Sequence, residues 1–229
     1  YTITDNQGND ARTASSTLTI TVFGTNDAPV ASDDAGAVGE DGTLTAGGNV
    51  LANDSDVDQG TVLTVAQPGD FVGAFGTLTL GADGTYSYVL NNASAAVQSL
   101  GQGETETETF TYEARDDAGE PLTDTGTITV TVSGANDAPV LVTPIADTQA
   151  QEGQSLLFGV PAGTFTDIDR NDVLTYTATL ADGSTLPSWL TFDPATQQFA
   201  GTPGASTAGT YEVRVVATDL FGASAADVF

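Results

Sequence analysis

The chain has 229 residues, with 31 acidic and only 4 basic side chains, and a formal net charge of -27. All four basic residues are arginines, and the absence of Lys, His and Cys excludes a Ser-His-Asp triad, a thiolate nucleophile, a Schiff-base lysine, a P-loop and the ordinary zinc and copper sites. A surface of this sign repels nucleic acid and anionic lipid, and it invites a cation.

Thr (37 copies) and Gly (26 copies) are abundant, and Thr and Val dominate runs in which apolar and polar residues alternate. Such runs favour many short strands over helices. The first 25 residues read as a hairpin: Tyr1 begins a strand pattern, Asp5 to Gly8 forms a turn, and Thr17-Leu-Thr-Ile-Thr-Val22 is a second strand. Between residues 30 and 135, strands are expected at 43–46, 61–66, 76–80, 84–90, 107–115 and 125–133, with Asp83-Gly84 as a hairpin turn and one or two helical turns between Asn92 and Leu100. From residue 140 on, strands are expected at 154–158, 173–180, 189–192, 197–200 and 210–217, with a turn at Asp182-Gly183. Trp189, the only tryptophan, is expected to anchor that core. The spacing of the strands predicts antiparallel β-sandwiches.

The chain repeats itself. TLTITVFGTNDAPV at 17–30 recurs as TITVTVSGANDAPV at 127–140, which sets Pro29 and Pro139 110 residues apart. A strand ending in Asp-x-x-Gly precedes each copy, and Val213 to Gly222 is a looser third. This predicts tandem domains. Residues 1–25 read as the C-terminal hairpin of a preceding repeat, 30–135 as a whole sandwich and 140–229 as most of another. Phe229 falls within what should be the final strand of the last one, which is expected to be truncated there. Alternatively, residues 1–25 lend a strand to the last domain or to another molecule. No apolar run approaches the ~20 residues needed to span a bilayer, so no membrane insertion is expected.

Asp outnumbers Glu by 23 to 8, and its short carboxylate is a good loop ligand for hard cations. The clusters are Asp33-Asp34, Glu40-Asp41, Asp54-Ser-Asp56-Val-Asp58, Asp116-Asp117 and Asp167-Ile-Asp169-Arg-Asn-Asp172, with Asn26-Asp27 and Asn136-Asp137 in the linkers. Carboxylates packed this closely repel one another unless protonated or neutralised by a metal. For Asp33, Asp34, Asp41 and Asp117 a merely solvated acidic face is an equal reading. Asp56, Asp58, Asp167 and Asp169 stand better, because Asp-x-Asp recurs at the same relative place in both domains, and alternation puts both carboxylates on one side of an extended segment.

The linkers and clusters together resemble the cadherin family. Asn136-Asp137-Ala138-Pro139 resembles the cadherin linker, with Ala138 in place of its second Asn. Asp167 and Asp169 match the family's Asp-x-Asp pair, and Asp219 matches the acid of the late Val-x-Ala-x-Asp segment. Glu40 fits the early glutamate of the upstream domain, and Glu104 fits the acid ahead of its penultimate strand. For the first junction the corresponding set is Asn26, Asp27, Asp56, Asp58 and Asp116. More narrowly, residues 30–140 resemble a VCBS repeat (Asn49 to Asp58, Gly76 to Tyr88, Glu108 to Gly119), and residues 140–229 resemble a dystroglycan-type cadherin-like domain (Phe165 to Asp169, Leu186 to Asp193, Gly201-Thr-Pro203).

This resemblance implies Ca²⁺ at the junctions and an extender role in large, type I secreted adhesins on the surface of Gram-negative bacteria. There, tandem repeats project a ligand-binding domain for attachment or biofilm formation. The expected partners are neighbouring repeats of the same polypeptide and a remote, unidentified adhesion ligand. The chain itself is expected to be monomeric and not an enzyme. The competing reading is a calcium-dependent sugar- or peptide-binding module, for which Phe71, Phe75 and Phe221 are the candidate aromatics, with core packing the expected fate of each. The Gly-Gly-x-Gly-x-Asp repeat of a calcium β-roll is absent.

Overall fold

The computed structural model describes residues 1–5 and 13–229. The expected turn through Asn6 to Gly8, and Arg12, lie outside the described residues. Strands β1 (Thr2–Thr4) and β2 (Thr13–Ser15) pair antiparallel, and every described residue of this hairpin is exposed.

Two tandem β-sandwiches follow. The first is built from β3 (Asp34–Gly39), β4 (Thr45–Asn49), β5 (Thr64–Val65), β6 (Gly69–Val72), β7 (Gly76–Leu80), β8 (Thr85–Leu90), a four-residue helix α1 (Ala95–Gln98), β9 (Thr105–Arg115) and β10 (Thr123–Ser133). One sheet has the order β3-β10-β9-β5 and the other β4-β8-β7-β6. Alternation in sequence becomes alternation in space. Gly126, Ile128, Val130 and Val132 of β10 point inward while the threonines between them face outward. The inner faces of both sheets meet in one core, in which Tyr88, Val50, Val97, Leu100, Ile128, Val130 and Val132 are fully buried. Gly126 lies directly opposite Tyr112, and an added Cβ there would strike the Tyr112 ring. The tyrosine can therefore lie across the neighbouring strand and send its hydroxyl to the Ser32 and Val50 carbonyls, at 3.0 and 3.1 Å.

The second sandwich contains β11 (Val140–Leu141), β12 (Leu156–Gly159), β13 (Phe165–Thr166), β14 (Thr175–Leu180), β15 (Leu190–Asp193), β16 (Gln198–Gly201), β17 (Val213–Thr218) and β18 (Ser224–Val228). Its sheets are β12-β16-β15 and β14-β17-β18, with β11-β13 as a short third pair. Phe199 is the largest fully buried side chain of this core, stacked on Phe158 at 4.8 Å. Trp189 packs against this core half-buried, edge-on to Tyr211.

The all-β expectation stands, with particular differences. Strand β3 runs parallel to β10. Neither β3 nor β6 is among the expected strands: β3 is mostly Gly and Ala, and its signal lies in its partner rather than in its own residues. The strand expected at 61–66 shrinks to two residues, because Thr61 closes a turn onto the Asp58 carbonyl. Phe71 and Phe75 pack on the first core as expected, but Phe221 is half exposed. Phe221 sits in the turn between β17 and β18, where its own backbone N–H is committed to Asp219.

Candidate metal centre

Each linker asparagine and each Asp-x-Asp pair makes the same three hydrogen bonds in both junctions. In the first, Asn26 Nδ2 donates to Asp116 Oδ2 at 2.9 Å, the Asp27 N–H donates to Asp58 Oδ2 at 2.8 Å, and the Asp58 N–H donates to Asp56 Oδ1 at 2.7 Å. In the second, Asn136 Nδ2 donates to Asp219 Oδ2 at 3.0 Å, the Asp137 N–H to Asp169 Oδ2 at 2.9 Å, and the Asp169 N–H to Asp167 Oδ1 at 3.0 Å. The Asp-x-Asp bond is an aspartate turn, in which the first side chain caps the backbone two residues on. It fixes the loop that leads into each following strand. The late acids, Asp116 and Asp219, are seated by turn N–H groups: Ala118 and Leu122 in one case, Phe221 and Ala223 in the other.

At the second junction these bonds occupy Asp167 Oδ1, Asp169 Oδ2 and the Asn136 amide nitrogen, and leave a second polar atom of each of these groups unused. Asp167 Oδ2, Asp169 Oδ1, Asp172 Oδ2 and Asn136 Oδ1 are all buried without a hydrogen-bond partner. Buried acceptors left unmade are costly, and four in one junction make an all-oxygen donor set of the kind that hard divalent cations take. Asp167, Asp172 and Asp219 offer oxygens within 4.8 Å of one another. The donor set fits calcium and not a nitrogen- or sulfur-seeking metal. Among the described residues of the first junction, Asp56 Oδ2 alone is left in this state.

The upstream sandwich closes on the second cluster. Burial is the largest influence holding the Glu40 carboxyl above the usual range; the Ala135 N–H opposes it, and the charges of Asp137, Asp41 and Asp169 add to it. Asp137 is raised by burial and then by Asp41 and Asp167. Asp169 is raised by burial, against the Asp137 N–H, with Asp167, Asp137 and Asp172 adding repulsion. Acids from the upstream sandwich, the linker and the downstream sandwich therefore feel one another. Asp219 and Asp116 go the other way: burial opposes ionisation of each, but the amide donors, Asn136 or Asn26 first among them, outweigh it.

Glu104 has a different setting from the rest of the expected set. It accepts from Arg170 Nε at 2.6 Å and from Asn171 Nδ2 at 2.9 Å. Asp172, by contrast, belongs to the acidic trio although the family motif ends at Asp-x-Asp. Its signal was its place in the run Asp167 to Asp172. At the equivalent place the first junction has Thr61, and Asp117 Oδ1 takes up the Val62 N–H there.

Residues 26–134 match the family described as bacterial cadherin-like domain, and residues 138–229 match a putative Ig domain. Similar solved structures include protocadherin gamma C5 EC1-3 (18% identity, TM-score 0.55, 88% of this chain and 66% of that one) and mouse cadherin-23 EC22-24 (15%, 0.61, 89% and 65%). Another is the protocadherin gammaB4 extracellular domain (16%, 0.57, 95% and 37%). At such identities the likeness is one of fold. The chain spans no more than 66% of the length of these structures. No curated protein matches its sequence.

Proposed function

We propose that the chain is a calcium-stiffened spacer segment of a bacterial cell-surface adhesin, in which residues 1–25, 30–135 and 140–229 belong to successive repeats. The observation that carries this reading is the set of four orphaned oxygens at the second junction, contributed by both the linker and the downstream sandwich. A bound calcium ion would supply the positive charge that lets such oxygens converge. Asn136 ties the linker to Asp219, Asp137 ties it to Asp169, and Glu40 brings the upstream sandwich within range. Pro139 limits the linker further by fixing φ.

With the carboxylates uncompensated, repulsion works against the closed junction, and neutralising them holds the angle between sandwiches. Sites in extracellular modules have dissociation constants of about 10⁻⁴–10⁻³ M, so extracellular calcium fills them. Among the described residues no helix is long and apolar enough to cross a membrane, and export with surface display belongs to the same proposal.

The test is small-angle scattering and calorimetry of the full chain with calcium and with chelator. Calcium should lengthen the maximum dimension and raise the melting temperature, with about 2.7 kcal/mol of stabilisation per site at a hundredfold excess over the dissociation constant. Unchanged scattering and melting would remove the reading. A second reading, a calcium-dependent binding module, is favoured by one observation: Phe221 is half exposed two residues from Asp219. Loss of glycan or peptide binding in Phe221→Ala would support it.

A further inference from the structure

Tyr112 carries a single hydroxyl hydrogen, and four oxygens compete for it. The Ser32 and Val50 carbonyls lie at 3.0 and 3.1 Å, and Asp54 Oδ1 and Oδ2 lie at 3.0 and 3.1 Å. A hydroxyl proton serves one acceptor. Other donors give little relief: the Ser32 N–H reaches Asp54 Oδ1 at 2.8 Å, and Asn53 Nδ2 stands 3.5 Å from the Ser32 carbonyl. Tyr112 is 3% exposed and Val50 is completely buried, so bulk solvent does not make up the shortage. Asp34 Oδ2 is buried as well, with no partner. Burial and then the charge of Asp54 raise the Asp34 carboxyl. Burial also holds the Tyr112 hydroxyl protonated, and both carboxylates add to this.

These groups come from separate parts of the first sandwich. Ser32 leads into β3 and Asp34 begins it, Val50 opens the short helical turn after β4, Asp54 lies in the loop beyond, and Tyr112 belongs to β9. β3 and β9 lie in one sheet and β4 in the other. The set is oxygen throughout: Asp34 Oδ2, both oxygens of Asp54, two carbonyls and the hydroxyl. Calcium takes six to eight oxygens at about 2.3–2.6 Å, which places neighbouring ones roughly 3 Å apart. Asp54 also lines a surface cleft of about 690 Å³ whose lining includes the exposed Ala52, Ser55 and Asp83, and this gives an ion a way in.

The second sandwich fills the same places differently. Counted from the Asp-x-Asp pair, Asp54 corresponds to Phe165, and counted from the late acid, Tyr112 corresponds to Val215. Both Phe165 and Val215 are buried in the second core. The architecture is satisfied there by apolar groups, so the oxygen set is particular to the first sandwich.

We propose that the first sandwich binds a calcium ion of its own, inside the fold and apart from the junctions, through Asp34, Asp54 and the Ser32 and Val50 carbonyls, with the Tyr112 hydroxyl in its shell. None of these residues belongs to the junction sets. The ion ties the two sheets together at the end where β3 begins, a cross-link in a chain that has no cysteine.

Asp34→Asn tests this by a change of sign. Melting is followed in chelator and in calcium at one ionic strength, so that screening is equal in both. In chelator the variant is relieved of a carboxylate repulsion, and its first sandwich should melt about 2–4 °C above that of the unmodified chain. In calcium it lacks a ligand and should melt below the unmodified chain. Calorimetric titration should show the affinity of one site reduced about 10–100-fold, and the transition of the second sandwich should not move. The same reversal should persist in a background of Asp56→Asn with Asp58→Asn, which disables the first junction. A difference of the same sign and size in chelator and in calcium would overturn the proposal, because a proton and not an ion would then neutralise Asp34. A reversal that vanishes in the disabled background would overturn it too, by placing the ion at the junction. The reversal is expected whether or not calcium alters the scattering of the chain, so this site and the spacer reading fail separately.

Discussion

Arg170 Nε lies 2.6 Å from Glu104 Oε2, which joins the two sandwiches at the second junction through the chain's own charges. Arg170 also reaches Glu106 at 2.8 Å, and its N–H bonds the Ser99 carbonyl at 2.9 Å. The guanidinium fork serves two carboxylates at once, which a lysine cannot do with the same geometry.

On the proposed reading the junction has two fastenings of different kinds, the ion and the arginine. Arg170→Ala should barely move the melting temperature, because the pair is open to solvent and screened by salt. In chelator, however, it should loosen the angle between the sandwiches. Residual dipolar couplings report this: in chelator the alignment tensors of the two sandwiches should differ more in the variant than in the unmodified chain, and with calcium they should match in both. A variant whose tensors in chelator differ no more than those of the unmodified chain would show that the arginine does not fasten the junction.

Asp172 tests the proposed metal centre where the family motif gives no guidance. Its Oδ1 holds the Val173 and Leu220 N–H groups at 2.6 and 3.0 Å, and its Oδ2 is orphaned. Asp172→Asn keeps an oxygen for those N–H groups and removes the charge. Calcium affinity at the second junction should fall about 10–100-fold, the range seen even for supporting groups around a metal. Calorimetric titration should show this with the first junction unaffected. An unchanged second-junction affinity would exclude Asp172 as a ligand.

The legibility of the site followed its repetition. Asp-x-Asp, Asn-Asp and the late Asp occur twice in the sequence, and each recurs in space with the same hydrogen bonds. Single features were harder to read. Glu104 carries no mark of its partner, because Arg170 lies 66 residues away and only the docked sandwiches bring them together. Strands rich in Val and Thr announced themselves, whereas β3 became a strand only because β10 offers it a parallel edge. Trp189 was read as a core anchor from its size. That it is only half-buried against that core, beside Tyr211, depends on which strands surround it, and a residue's size does not encode that.

Asp34 provides a pH test away from the junction ligands. Its Oδ2 is buried without a partner. Burial raises its pKa most, the charge of Asp54 adds to this, and the Tyr112 hydroxyl opposes it. An acid whose folded pKa is raised binds more protons folded than unfolded, so stability falls as pH climbs from the ordinary value through the raised one. Asp34→Asn removes that loss. In chelator at neutral pH it should raise the melting temperature of the first sandwich by about 2–4 °C, and the gain should shrink as pH drops towards the ordinary carboxylate range. A gain that persists unchanged in acid would mean that charge is not its cause.

Phe199 separates the two cores. It is fully buried between Phe158, stacked at 4.8 Å, and Phe192 at 4.6 Å, and Phe229 meets it edge-on at 6.1 Å. Truncating it removes the hub of an aromatic cluster and leaves a hole that the surrounding strands cannot fill. Phe199→Ala should cost the second sandwich about 3–5 kcal/mol. The first core, assembled around Tyr88, Tyr112 and Ile128, shares no buried residue with the second, and it should keep its own transition. Calorimetry in chelator should show one melting peak displaced downward and the other in place. A single peak that moves as a whole would mean that the junction couples the sandwiches into one cooperative unit even without metal.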